Sequence, residues 1–367
     1  MNPYPISHYF KNAFRQLDGI LLMLICGVLL VSAVVLYSAS GQNSARLTGH
    51  LVNIGVAFAV MIVIANVPPH LLGRVGPGLY VLGIVLLLGV ALFGEVRNGA
   101  RRWIDLGFAF QPSELLKLAL PLMLAWYFQR NEAILRLQHY GTAALLIAVP
   151  LLLILRQPDL GTTMLIGASG FYLLFFAGLS WKIIVGIITA GLGSLPLVWN
   201  LMHDYQRQRV MTLLDPSSDP LGAGYHIIQA SIAIGSGGVF GSGWMHGTQN
   251  QLDFIPERST DFIFAVFGEE FGYLGAILLI VLYLGIVARG LVIAARAPTM
   301  FGRLMAGTIS LNFFTYAFVN MGMVSGVLPV VGVPLPLMSY GGTAMITLML
   351  GMGMVMSVAT HRRLNKS

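Results

Sequence analysis

DGILLMLICGVLLVSAVVLYS, residues 18–38, holds one charged side chain, Asp18, and after it only apolar and small polar residues. Wound as an α-helix it would rise roughly 30 Å, the thickness of a bilayer's hydrocarbon core. Lys11 and Arg15 precede it and Ser38-Ala39-Ser40 follow, the outline of a cleavable leader. Its apolar core is too long for a leader's hydrophobic region, so it reads as an uncleaved membrane span. Cys26 lies inside it and is the single cysteine. Alone it makes no intrachain disulfide and no metal cluster, and it reads as a small buried apolar residue.

Nine further windows share this character: 48–66, 76–94, 114–129, 140–155, 159–179, 182–202, 261–288, 304–324 and 341–360. Charged residues are 10% of the 367, against about 25% in a soluble domain, and apolar residues are 56%, with 43 Gly besides. So few charges cannot cover a soluble surface, which excludes a soluble enzyme and a disordered chain alike. No polar stretch is long enough to fold as an inserted catalytic domain. The expectation is an all-α integral membrane protein with ten transmembrane helices. It forms a single polytopic domain over 1–367, with residues 203–260 as a large loop between helices seven and eight.

Ten spans put both termini on one side. If that side is cytoplasmic, the inner segments hold many bases, among them Lys11, Arg74, Arg130, Arg289 and Arg362, against two acids, Asp18 and Glu132. The outer segments hold Arg46, Arg97, Arg101, Arg102, Arg156, Arg207, Arg209 and Arg258 together with most of the acids. The positive-inside rule therefore places both termini in the cytoplasm. The net charge of +7 reports topology rather than an affinity for nucleic acid. The long, unusual segments all fall outside: 95–113, 156–159, 203–260 and 325–342. Chemistry, if any, belongs to that face.

Several polar residues there invite a role. Glu114 and Lys117 share a helix face three residues apart, as a packing pair or as the floor of a cavity. Gln157-Pro158-Asp159 puts Asp159 at another helix opening, as a cap or as a second carboxylate around a common vestibule, with Arg156 beside it. The run Gly235-Ser236-Gly237-Gly238-Val239-Phe240-Gly241-Ser242-Gly243 is either a flexible turn or a backbone cradle for phosphate. It lacks the context of a Walker or Rossmann motif. Glu257-Arg258-Ser259-Thr260-Asp261 leads into the eighth span, with Thr260 as expected N-cap and Asp261 in the first turn. Below Asp261, Ala265, Gly268 and Gly272 form a small-residue face that suits a lipid chain or close helix packing equally. His203, His226 and His246 show no metal-ligand spacing.

Asn98-Gly99-Ala100-Arg101-Arg102-Trp103, Gln111–Lys117, Gln157–Thr162, Asp204–Pro216, Gly224–Gln229, Glu257–Gly272 and Pro334–Gly342 follow one another in a specific order. In this the chain resembles, along almost its whole length, the SEDS family (shape, elongation, division and sporulation). His203–Asp215 and the short N-terminal tail favour its elongation type over its division type. The resemblance implies a peptidoglycan glycosyltransferase that polymerises lipid II on the outer face of the bacterial cytoplasmic (inner) membrane, during cell-wall elongation and rod-shape maintenance. It implies lipid II and the growing glycan strand as ligands, a class B penicillin-binding transpeptidase as partner, and the other elongation proteins around it. The family's essential aspartate falls on Asp261. Its other important polar positions fall on Glu114, Lys117, Asp159, Arg102 and Arg207.

On that footing Asp261 is the expected general base and the reaction a single displacement that inverts C1. Arg102, Arg207, Arg209 and Lys117 are the candidates to hold the leaving pyrophosphate, and a divalent cation, Mg²⁺ or Mn²⁺, is an optional helper. Two rival classes stand beside this one. A transporter, such as a lipid II flippase, would use the intramembrane Glu114, Lys117, Glu269 and Glu270. No inverted repeat supports it. A non-catalytic scaffold would need nothing at Asp261.

Overall fold

The computed structural model describes residues 17–97, 100–105, 109–202, 204–220 and 222–364. Lys11, Arg15, Asn98, Gly99 and His203 lie outside the described residues. Each of the ten expected windows is occupied by a helix: α1 (Gly19–Ala39), α2 (Ser44–Ala65), α3 (Pro69–Phe93), α4 (Pro112–Arg130), α5 (Leu137–Leu155), α6 (Leu160–Phe176), α7 (Trp181–Leu201), α11 (Ile263–Ala295), α12 (Met300–Val324) and α13 (Gly342–Leu364). Between α7 and α11 lie the shorter α8 (Asp204–Leu214), α9 (Ala223–Ser236) and α10 (Thr248–Gln251). Among the described residues, seven helices are long and apolar enough to cross a membrane: α1, α2, α3, α5, α7, α11 and α13. The other three fall short for physical reasons. α6 has 17 residues. α4 and α12 are diluted by polar side chains, of which Glu114, Lys117 and Asn320 build the site described below.

Strands occur, among the described residues, only between α3 and α4. β1 (Glu95–Arg97), β2 (Ala100–Asp105) and β3 (Ala109–Phe110) form a small antiparallel sheet in that order. Glu95 lies opposite Trp103, and Ile104 opposite Phe110. The sheet holds the motif around Arg102 as a hairpin rather than as an open loop.

Glycine sets the helix spacing. A Cβ on Gly353 of α13 would lie 2.6 Å from the Met61 carbonyl oxygen of α2, and one on Gly76 of α3 would lie 3.0 Å from the Leu122 backbone of α4. In lipid no hydrophobic force drives helices together, so close backbone approach through small residues supplies the packing. The outward faces carry Leu30, Phe93, Leu152 and Leu192, all exposed, as a lipid solvent demands. At one end of the bundle Asp18 does two jobs. Its Oδ1 accepts the Leu21 N–H at 3.0 Å and so caps α1. Both carboxylate oxygens accept from Arg289 of α11, at 2.9 and 2.6 Å. This buried acid is thereby a staple between two helices.

α11 is broken at Gly272, whose φ of 64° and ψ of −165° only glycine adopts without strain. The break frees main-chain groups on both sides, and the glycine-rich run takes them up. Ser242 and Gly243 donate N–H to the Glu269 and Glu270 carbonyls at 2.9 and 3.0 Å. In return Tyr273 and Leu274 donate to the Gly238 and Val239 carbonyls at 2.9 and 3.1 Å. A Cβ at Gly237 would sit 2.1 Å from the Gly268 carbonyl oxygen. Neither a flexible turn nor a phosphate cradle describes the run: the Ser242 and Gly243 N–H groups are spent on α11, and those of Gly237, Gly238 and Gly241 on the carbonyls of residues 233, 235 and 237. The face formed by Ala265, Gly268 and Gly272 is covered in the same way and is no open groove. Glu269 and Glu270 are buried beneath it. Glu269 accepts the Gln249 and Asn250 N–H groups at 2.8 and 3.2 Å, so it caps α10. Glu270 accepts from the Ser38 hydroxyl of α1.

Candidate functional site

Asp261 does not lie in a helix. α11 begins at Ile263, and Phe262, not Thr260, stands at its N-cap without a side-chain cap bond. The Thr260 hydroxyl turns back to Glu257 instead, 2.7 Å from its Oε2 and 3.1 Å from its carbonyl oxygen. The expected N-cap is therefore corrected: residues 257–261 form a tight turn, with the Thr260 and Phe262 N–H groups both on the Glu257 carbonyl at 3.0 and 3.2 Å. Asp261 thus keeps a free carboxylate at the mouth of the helix rather than one engaged in capping.

Three elements fix that turn. Asn320 of α12 donates its Nδ2 to the Asp261 carbonyl at 2.8 Å and to the Val333 carbonyl at 2.7 Å. The Ser339 hydroxyl donates to the Thr260 carbonyl at 2.7 Å, and the Tyr340 N–H to the Ser259 carbonyl at 2.8 Å. The Pro/Gly-rich segment between α12 and α13 is accordingly folded onto the turn. Gly332, at a φ of 70°, passes so close that a Cβ there would lie 3.5 Å from Asp261 Oδ2. The carboxylate itself accepts no hydrogen bond and makes no ion pair among the described residues. Burial, and then the negative charge of Glu257, push its pKa up from 3.8 to about 6. His226 of α9 stacks on Phe262 with ring centroids 5.3 Å apart. Burial lowers its pKa, while Glu257 and Asp219 pull it back up.

A second cluster lies across the same segment. Asp159 caps α6: its Oδ1 accepts the Thr162 N–H and its Oδ2 the Thr162 hydroxyl, both at 3.0 Å. Gln111 Nε2 donates to Oδ2 at 3.1 Å, and Arg102 stands 3.7 Å away. Arg102 also donates to the Gln157 and Pro158 carbonyls at 3.2 and 2.6 Å. The capping reading of Asp159 holds, and the cap also carries the ion pair with Arg102. The next turn of α6 touches the Asp261 side, because a Cβ on Gly161 would lie 2.8 Å from the Val331 carbonyl oxygen.

α12 joins this to the Glu114–Lys117 pair. Lys117 Nζ lies 2.5 Å from Glu114 Oε1 and 5.2 Å from the centroid of Tyr316. Tyr316 and Asn320 are one helical turn apart on α12, roughly 6 Å along its axis. One face of α12 therefore touches the buried ion pair at one step and Asp261 at the next. Glu114 Oε2 is buried with no hydrogen-bond partner.

The two arginines of α8 diverge, as residues two apart on a helix must. Arg207 donates to the Trp199 and Asn200 carbonyls at the end of α7, at 3.0 and 2.8 Å. Arg209 lies over the Tyr205 ring, 6.0 Å from its centroid, and makes no ion pair among the described residues. Burial and the charge of Arg102 lower its pKa, while Tyr205 and Asp159 raise it, so it belongs to the Arg102–Asp159 neighbourhood. Asp261, Asp159, Arg102, Arg209, Glu114 and Lys117 are thus linked through α12 and residues 331–333. Arg207 is turned onto a helix end. Among the described residues no three His, Cys, Asp or Glu side chains converge as metal ligands. Sequence reasoning missed Asn320, Tyr316 and Gln111 as positioning groups and set His226 aside. An Asn within an apolar helix was the available signal for the first.

Comparison with known proteins gives one consistent result. The cell cycle protein family FtsW/RodA/SpoVE matches residues 17–364. The chain is 53% identical over 351 residues to a peptidoglycan glycosyltransferase MrdB of Escherichia coli, covering 95% of each. It is 34% identical to the MrdB of Helicobacter pylori over 93% of this chain and 89% of that one. A solved structure on the coordination of polymerization and crosslinking by a peptidoglycan synthase complex matches with a TM-score of 0.82 and 34% identity, covering 94% of this chain and 98% of that one. The rod shape determining protein RodA of Thermus thermophilus matches with a TM-score of 0.71 and 29% identity, over 94% and 97%.

Proposed function

Since the chain belongs to the FtsW/RodA/SpoVE family of cell cycle proteins, we propose that it is a multi-pass membrane peptidoglycan glycosyltransferase of cell-wall elongation, with Asp261 as its general base. In this reading ten helices cross the bacterial inner membrane and both termini are cytoplasmic. Lipid II reaches the Asp261 face from the outer leaflet. The observation that carries it is the Asp261 carboxylate: without a hydrogen-bond or ion-pair partner among the described residues, held by its main chain, and poised near pH 6.

The place of this carboxylate supports the following chemistry. The 4-hydroxyl of one lipid II disaccharide attacks C1 of the growing strand. Its proton passes to Asp261, the C1–O4 bond forms, and the C1–O bond to pyrophosphate breaks. Undecaprenyl pyrophosphate leaves with the electron pair, and C1 is inverted. A carboxylate already hydrogen-bonded as a helix cap would be a poor proton acceptor, so the turn at 257–261 serves basicity as well as position. Arg209, which makes no ion pair among the described residues, and Arg102 supply positive charge to the leaving group. Lys117 and Glu114 act from below through Tyr316 as positioning residues. Glu257 and Asp261 are the carboxylates that would hold a Mg²⁺ or Mn²⁺ ion, since Mg²⁺ is commonly held by one or two carboxylates plus phosphate. It would add charge stabilisation there. The partner in this reading is a class B penicillin-binding transpeptidase. The structural likeness to a complex that couples polymerization to crosslinking supports it.

A flippase is the second reading, favoured only by the buried Glu114–Lys117 and Glu269–Glu270 pairs. In the structure Glu269 caps α10 and Lys117 is paired, which leaves little for ion coupling. The discriminating experiment reconstitutes the purified protein in vesicles with labelled lipid II and reads both transbilayer movement and glycan chains. Chain formation without accelerated movement supports the polymerase. Movement without chains would overturn it.

A further inference from the structure

At the end of the bundle opposite Asp261, four helix ends surround a cavity of about 570 Å³. They are the loop into α3 with its first turns, the last turn of α4, the turn into α12, and the end of α13. The site chemistry above uses none of them. The floor is apolar, formed by Phe301, Val358 and Pro298, with Trp126 at one wall. The rim carries Arg74, Arg130, His70 and His361, and no acidic residue lines the cavity. Neither arginine makes an ion pair among the described residues. Arg130 is held over the face of Trp126, 5.5 Å from the ring centroid, which fixes a guanidinium at the rim. The amides at the start of α12 are already satisfied. Phe301 N–H donates to Gln129 Oε1 and Gly302 N–H to Thr299 Oγ1, both at 3.1 Å. Recognition of an anion therefore falls to the two guanidinium groups.

We propose that this cavity is a binding site for the phosphate headgroup of an anionic phospholipid, with its glycerol and first methylenes against Phe301 and Val358. Two arginines without an ion pair among the described residues, over an apolar floor at the level where helices end, match a ligand that is charged at one tip and greasy below it. A soluble phosphate would use the rim and leave the floor wet. The placement in the inner leaflet rests on the proposed orientation, whereas the binding itself does not.

The test is native mass spectrometry of the full-length protein in detergent, titrated with phosphatidylglycerol or phosphatidylcholine. Phosphatidylglycerol is expected to bind preferentially at one site. Arg74→Gln with Arg130→Gln should weaken it roughly 30-fold, at about fivefold per arginine near an anionic surface. Arg74→Lys with Arg130→Lys should largely retain it, and Arg296→Gln, a base elsewhere on the same face, should change nothing. Gly73→Val adds bulk beside the Phe301 ring, which already stands 3.4 Å from a Cβ at that position, and should expel the lipid without removing a charge. Polymerisation of lipid II by each variant reports that it is folded. Equal binding of phosphatidylcholine, undiminished phosphatidylglycerol binding by the double Gln variant, or displacement by millimolar inorganic phosphate would each overturn the proposal.

Discussion

Acid should switch the enzyme off at an unusually high pH for a carboxylate. Asp261 is pushed from 3.8 to about 6, first by burial and then by Glu257. As a general base it works only when ionised, so its active fraction is about 0.9 at pH 7, about 0.5 at pH 6 and about 0.1 at pH 5. Fluorescent lipid II, turned over by purified protein across that range, should give a plot of log kcat/KM that bends near 6 and falls with unit slope below it. Glu257→Gln removes the second cause only, so the bend should move down yet stay above 3.8, because burial persists. His226→Gln should leave it in place. The same shift has a stability sign. A carboxyl whose folded pKa is raised binds more protons folded than unfolded, so it opposes folding in full above about pH 6, and the penalty fades as the pH falls from 6 to 3.8. The roughly two-unit shift sets a ceiling of about 3 kcal/mol, which solvent screening at a half-buried side chain brings to about 1–2 kcal/mol. A profile that is flat to pH 5, or that bends near 4, would refute the assignment of Asp261 as a desolvated base.

Three further outcomes follow from particular contacts. Lys117→Met should destabilise the protein by about 3–5 kcal/mol, because it strands the buried Glu114 carboxylate, and Glu114→Gln in the same chain should recover much of the loss in thermal unfolding. Gly272→Ala should cost several kcal/mol, since its Cβ would stand 2.3 Å from the Gly241 nitrogen at a φ that alanine resists; a folded, equally stable Ala variant would show that the break in α11 is not required. Asn320→Leu removes two hydrogen bonds and leaves the Asp261 and Val333 carbonyls unsatisfied, about 2–4 kcal/mol in total. It should lower kcat more than it raises KM, which steady-state kinetics would show.

Helix placement was legible because it depends on local hydrophobicity. Each of the ten windows holds a helix, and the errors are at the ends, as where α3 starts at Pro69 rather than near residue 76. Proline at the first helical position marks such a start, but hydropathy alone passes over it. The clustering of Asp261, Asp159, Lys117 and Glu114 was anticipated only as a shared face. What joins them is Asn320, Tyr316 and residues 331–333, and no local pattern shows which loop folds onto which turn. The glycine-rich run illustrates the same limit. Its composition allowed a phosphate cradle, and its use as the partner of a broken helix depends on a contact with Glu269 and Glu270 across the fold. Arg207 likewise reads as a free cation until the end of α7 is seen beside it.

The central claim is tested most directly by purified Asp261→Asn protein supplied with lipid II, beside wild type. The account predicts no glycan chains from the variant, with thermal unfolding at pH 8 at the wild-type temperature or above it, because a desolvated charge has been removed. Glycan of wild-type length and yield from a folded Asp261→Asn protein would contradict it.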